Sequence, residues 1–329
     1  MAGYATSVGM YAVFADPKTD LVFRRIFGAE ARKPLLIALL NDLLELRGER
    51  RISELQYLPN EQHVDVPELK LSIVDVKCTD KNGQRFVVEM QVLNVEGFEK
   101  RVVYNASKAY VMQLREAEEY PALCNVVGLT ICNFNLWPDK SPDGRYKVPM
   151  LSRWRMQEQH NGETGLEQVQ YVFLELPKYS AGDSPESLVE KWAYFFRETK
   201  NLDEVPNALS STPFREALDV ARRANFSVWE WEAYDRAKMA EQDARGALSL
   251  AQREAKMEGR MEGKLEGKLE GKLEGELSAR RDILLKLLER AGIALNEDER
   301  ARVLGCVDMS MLDRWIEKTW GAKTASDVL

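Results

Sequence analysis

The sequence predicts an α/β protein: a mixed sheet covered by helices, extended on its C-terminal side by further helix. Three observations predict it. Between residues 71 and 93 two β-rich runs flank an Asn-Gly turn signal. Leucine-rich and aromatic stretches at helical spacing precede and follow that hairpin. From residue 184 onward helical spacing takes over and ends in a four-residue repeat followed by a short tail. The expected organisation is a core over 1–180, a helical region over 181–250, a repeat helix or linker over 251–277 and a small helical tail over 278–329.

Residues 1–15 carry little patterning and are expected to be weakly ordered. Asp16-Pro17 or Thr19 suits a helix start, and Leu21, Phe23, Ile26 and Phe27 follow at partly helical spacing up to Gly28. Lys33 to Leu46 reads as a helix packed on the sheet, and Arg47-Gly48 closes it. Ile52 to Leu58 reads as a first strand and Asn60 to Pro67 as a loop.

The hairpin register follows from its residues. A two-residue Asn-Gly loop would pair Asp75 with Met90 and mix polar with apolar side chains on both faces. A three-residue loop, Lys81-Asn82-Gly83 with Gly83 in the left-handed bulge position, pairs Asp80 with Gln84. That register sets Val74 against Met90, Val76 against Val88 and Cys78 against Phe86 on one apolar face. The other face then has Asp75 opposite Glu89, Ile73 opposite Gln91 and Lys77 opposite Val87. A slip of one residue would turn every side chain over.

Opposed residues on a sheet have Cβ atoms roughly 4.5–5.5 Å apart. Two carboxylates at that separation repel by roughly 3 kcal/mol at an effective dielectric near 20. The residues alone allow two readings: a solvated, charged outer face, or a pair of oxygen ligands for a divalent cation, which favours such donors.

Past the hairpin, Gly97 to Glu119 reads as a helix, with Phe98, Val102, Ala106 and Ala109 on one stripe and Arg101, Tyr104 and Lys108 on another. Cys124 to Leu136 is a mostly apolar strand suited to the sheet interior. Tyr146 to Met156 and Val169 to Leu176 read as further strands. Ser184-Pro185 and Thr212-Pro213 look like helix starts. The aromatic run Phe226, Trp229, Trp231 and Tyr234 is expected to pack a helix rather than stack on bases.

From Glu258 to Leu277 the chain repeats EGRM, EGKL three times, then EGEL. A period of four drifts by about 40° per step on an α-helix, so each residue type forms its own winding lane. Like charges recur at i,i+4, which is unfavourable, and each glycine costs about 1 kcal/mol against alanine. The segment is therefore either a flexible connector or a helix stabilised by self-association, which makes a homo-oligomer an expected assembly. Ser278 to Arg290 and Glu297 to Lys318 form the helical tail.

Composition narrows the function classes. The net charge of −7 argues against a generally cationic nucleic-acid binder, yet phosphate contacts need only local cations. Lys18, Arg24, Arg25, Arg32 and Lys33 form one basic cluster; Lys100, Arg101, Lys108 and Arg115 form another. No apolar run approaches the roughly 20 residues of a membrane span, so no membrane association is expected. The N-terminus lacks a basic region leading into an apolar core, and the four cysteines form no CxxC pair. A cytoplasmic protein with reduced thiols is expected. With two histidines, His63 and His160, a histidine-based metal site or nucleophile is poorly supplied.

A strand carrying Asp, a turn, then a strand carrying Glu-x-Lys is the pattern of the PD-(D/E)XK nuclease superfamily. Here the second strand reads Glu89-Met90-Gln91, with glutamine at the lysine position. "IVDVKCTDKNGQRFVVEMQ" resembles the Rpn family of recombination-promoting nucleases, also labelled transposases. "DPKTDLVFRRIFG" resembles that family's opening helix, "FEKRVVYNASKAYVMQL" the helix after the Glu-x-Gln strand, and residues 214–243 its later helices. The Glu-Gly-Lys-Leu repeats resemble its common tail, so the similarity touches most of residues 16–277.

The resemblance implies a restriction-endonuclease-like core and a metal-dependent DNA endonuclease with little sequence preference, in a setting of recombination, mobile elements or phage defence. It implies Mg2+ (or Mn2+) as the cofactor and DNA as the partner. Asp75 and Glu89, joined by the Met90 carbonyl, become metal ligands. Asp20 matches an acidic position of the opening helix; it either completes the ligand set or is a capping or surface carboxylate. Gln91 stands where the lysine would, to orient water or touch phosphate. Lys77, on the same strand face as Asp75, is our own candidate for the missing charge. Arg24, Arg101 and Tyr104 match family positions and are expected to contact DNA phosphates; Arg101 could equally brace the carboxylates. The glutamine leaves a second reading, a catalytically weak or inactive member of the fold that binds DNA or assembles.

Overall fold

The computed structural model describes residues 12–62, 72–114 and 118–329. His63, Leu71, Arg115, Glu116 and most of the expected 60–67 loop lie outside the described residues. The chain divides into two compact units, Met1–Arg245 and Gly246–Leu329.

The first unit opens with Phe14, expected to be loose but in fact buried and bridged to Arg222. Helix α1 spans Asp20–Phe27 and α2 spans Lys33–Leu43. Strand β1 is Leu55–Tyr57, β2 Glu61–Gln62, β3 Ser72–Ile73, β4 Val76–Asp80 and β5 Arg85–Gln91. Helix α3 (Phe98–Val111) leads to β6 (Val126–Cys132), β7 (Leu151–Trp154) and β8 (Val169–Glu175). The main sheet has the order β1-β4-β5-β6-β8-β7, with β5, β6 and β8 parallel and the other pairings antiparallel. The expected ranges for the two edge strands run too long, by three residues at the start and one at the end of β1 and by five and two at β7, because apolar residues continue into the connections.

The expected hairpin loop forms. Asp80 N–H donates to the Gln84 carbonyl at 3.0 Å, Gly83 sits at φ +82°, and Val76 pairs with Val88 and Cys78 with Phe86. The Asp80 carboxylate takes the N–H groups of Asn82 and Gln84, both at 2.9 Å, which fixes the turn locally.

The register fails beyond Val76. The chain bends at Asp75, and Ser72–Ile73 leaves the main sheet to pair with Glu61–Gln62. The expected pairs Val74–Met90, Ile73–Gln91 and Asp75–Glu89 are therefore not made by the ladder. Val74 packs instead with Val87, Ala106 and Ala109 beneath α3.

Helix α3 covers one face of the sheet. On the other, α1 and α2 pack with α4 (Leu188–Glu198) and α5 (Phe214–Ala221) around Phe23, Phe27, Trp192, Phe196 and Phe214. Helix α4 begins at Ser187, not Ser184. Ser187 accepts from Glu190 N–H, and the Glu190 carboxylate accepts in return from Ser187 N–H. Phe226 and Tyr234 are buried in the same core, as expected of a packing run, whereas Trp229 is exposed.

Helix α6, Val228–Arg290, begins in the first unit and ends in the second. The repeat is helical throughout rather than a loose connector. The second unit has its own core of Leu284, Leu288, Val303, Leu312 and Trp315, from the end of α6, α7 (Glu297–Leu304) and α8 (Met309–Lys318). A final turn, α9 (Ala325–Val328), closes it. Among the described residues no helix is long and apolar enough to cross a membrane.

Candidate active site

The bend at Asp75 builds the site. Asn60 donates from Nδ2 to the Asp75 carbonyl at 2.9 Å and holds the turn. The Asp75 carboxylate then lies along β5, where Oδ2 accepts the Met90 N–H at 2.8 Å. Its Oδ1 accepts from Arg24 of α1 at 3.2 Å. Residue 89 alternates with Val88 and Met90, so its side chain lies on the α3 side of the sheet, where Asn105 Nδ2 donates to Glu89 Oε1 at 2.7 Å. Asn105 Oδ1 in turn accepts from the Ser72 hydroxyl at 2.7 Å. Glu89 Oε2 has no hydrogen-bond partner among the described residues.

Two acids are thus held, nearly buried, with the Asp75 charge felt at Glu89. Burial pushes the Asp75 carboxyl up; the Met90 N–H and Arg24 pull it back, and Asp20 adds to the rise. Burial likewise raises Glu89, with Asp75 as a further raising charge and Asn105 and Arg101 opposing. Both donors are hard oxygens that a cation would relieve of mutual repulsion, so the residues present fit a magnesium-type ion.

The remaining expected residues divide. Asp20 is exposed at the head of α1 and its charge reaches Asp75. Among the described residues, however, no three His, Cys, Asp or Glu side chains gather as one metal-binding group. Lys77 is buried, and burial, with the charges of Arg85 and Lys108, pushes its ammonium down to about 8. Gln91 holds two neighbours. Its Nε2 donates to the Leu93 carbonyl at 2.7 Å, and its Oε1 accepts from the Arg101 guanidinium. Arg101 and Tyr104 line a groove of about 690 Å³ with Ser72, Ile73 and Asn105. Arg24 lines a second, of about 630 Å³, with Asn60, Tyr57 and Ile73. Ile73, 56% exposed, borders both.

Sequence reasoning missed Asn105, Ser72 and Asn60. One signal was available: Asn105 is a polar residue next to the Phe98, Val102, Ala106, Ala109 stripe that α3 buries. A buried amide on such a stripe needs a polar partner.

The core is thus a mixed sheet with one acid at a bend and a second acid on the next strand. The chain belongs to the PD-(D/E)XK nuclease family transposases, whose family model matches residues 17–251. No curated protein and no solved structure matches it.

Proposed function

We propose that this protein is a metal-dependent DNA endonuclease that hydrolyses phosphodiester bonds with low sequence specificity and promotes DNA recombination. One observation carries the reading. Asp75, at the bend before β4, and Glu89, on β5, are both nearly buried; burial raises both carboxyls, and the Asp75 charge raises Glu89 further. Such an arrangement opposes stability and has a purpose if a cation joins the two.

Asp75, Glu89 and the Met90 carbonyl are the groups that would hold Mg2+ or Mn2+. The cation supplies charge neutralisation and Lewis acidity at the phosphate. The chain's own residues do the rest. The Met90 N–H and Asn105 fix the two carboxylates, and Arg24 steadies Asp75. Arg24, Arg101 and Tyr104 place the DNA backbone along the two grooves, since phosphate contacts supply position and affinity. Self-association through the repeat of α6 is part of the proposal.

Plasmid nicking tests it. The wild-type protein is expected to nick supercoiled DNA with Mg2+ and not with EDTA, and Asp75→Ala and Glu89→Ala to fold and not nick. Full activity in either variant removes the site. Gln91 favours a second reading, a DNA-binding or assembly module without cleavage. DNA binding by a wild-type protein that never nicks in Mg2+ or Mn2+ would select it.

A further inference from the structure

The site lacks a lysine two residues after its glutamate, and neither of the nearby candidates for a cation at the phosphate fits well. Lys77 is buried beside Arg85 and Lys108. Arg24 is engaged on Asp75 Oδ1. We infer that Arg101 of α3 is the catalytic cation and that Gln91 is the residue that positions it.

The geometry is built from β5 outward. Gln91 lies on the same strand face as Glu89, two residues on. Its amide cannot turn freely, because Nε2 is tied to the Leu93 carbonyl at 2.7 Å. Its oxygen is thereby presented to one N–H of Arg101. The guanidinium also sits over the Phe98 ring, 5.5 Å from the centroid. These two contacts fix its plane while the side chain stays exposed along the groove that also contains Asn105. A guanidinium has five donors in a rigid fork, and one is spent on Gln91; the fork suits bidentate contact with a phosphate. The Arg101 charge is already felt at Glu89, so a phosphate attacked beside Glu89 lies in the same field.

The assignment rests on the endonuclease reading. As the water oxygen bonds to phosphorus, the bond from phosphorus to the departing sugar oxygen breaks and the water's proton leaves to solvent or to that oxygen. Negative charge builds on the non-bridging oxygens. Arg101 keeps its protons throughout and donates to those oxygens, where preorganised donors act most strongly.

The test is single-turnover nicking at saturating protein with Mg2+, alongside DNA affinity in EDTA. Arg101→Ala is expected to slow the chemical step by about 100-fold or more, the usual cost of removing one preorganised transition-state donor, with a much smaller loss of affinity, that of one phosphate contact among several. Gln91→Ala is expected to slow it less, again with affinity held. Adding Gln91→Lys to Arg101→Ala is expected to restore much of the rate, because an ammonium then arises where the amide steered the guanidinium. A merely structural Gln91 gives no such rescue, and absence of rescue overturns the inference. So does Arg101→Ala nicking at the wild-type rate while Glu89→Ala is dead, or loss in Lys77→Met instead of Arg101→Ala. If Glu89→Ala nicks like wild type, the endonuclease reading itself has failed and the inference falls with it.

Discussion

Glu89 shows what the site costs the fold. In the metal-free protein its carboxyl is raised by burial and by Asp75, so the folded chain holds a proton that the unfolded chain has already released. Stability tied to this group is therefore greatest at low pH. It falls as pH climbs from about 4.3, the ordinary glutamate value, through the raised folded value. Glu89→Gln removes the charge and keeps a side-chain oxygen that can accept from Asn105 Nδ2. Thermal melts in EDTA are expected to show the variant more stable than wild type near pH 7, with the gap closing below about pH 4. A gap that is constant with pH would remove the buried charge as its cause. Mg2+ is expected to raise the wild-type melting temperature and leave the variant's unchanged. The acids could be named from the sequence, but the turn places only Glu89: the ladder it sets ends at Val76, and Asp75 lies at the bend beyond it. Their supports could not be named: Asn60, Asn105 and Ser72 lie 15 residues or more away in the chain or act through a side chain on another element, and no local propensity records such contacts.

At the scale of elements, what the chain decides locally was readable and what it decides at a distance was not. The three-residue loop follows from Asp80, Asn82 and Gly83, residues whose own chemistry makes the turn. The departure of Ser72–Ile73 from the sheet follows from pairing with Glu61–Gln62, which no alternation pattern announces. The loop carries its own prediction. Gly83 sits at φ +82°, and a Cβ there would lie 2.6 Å from Cys124 Sγ. Gly83→Ala is expected to lower stability by about 1–2 kcal/mol from the left-handed backbone alone, with a further loss from the sulfur contact. Urea unfolding followed by tryptophan fluorescence measures it. An unchanged midpoint would mean that the loop relaxes to another turn and that Gly83 does not set the register.

For the molecule as a whole, α6 is a helix that needs something to lean on. Five glycines, at 259, 263, 267, 271 and 275, weaken a helix by about 1 kcal/mol each. The repeated Glu at i,i+4 adds repulsion. Yet Met257, Met261, Leu265, Leu269 and Leu273 are each at least 54% exposed along it. An apolar lane with that spacing is an i±4 ridge, and two such ridges interdigitate at a crossing angle near −50°. A second copy of the chain presents the same ridge, with a Glu lane on one flank and a Lys lane on the other. At 100° per residue, Glu lies 60° to one side of Leu and Lys 100° to the other. Two copies running parallel set Glu against Lys on both flanks; antiparallel copies set like charge against like. The expected outcome is a parallel self-association that breaks when Leu265→Glu and Leu269→Glu are combined. Light scattering on the full chain reads the mass before and after. Nicking is expected to survive the double change, because Asp75, Glu89 and Arg101 all belong to the Met1–Arg245 unit. A wild-type chain that stays monomeric at micromolar concentration would leave the lane without this partner.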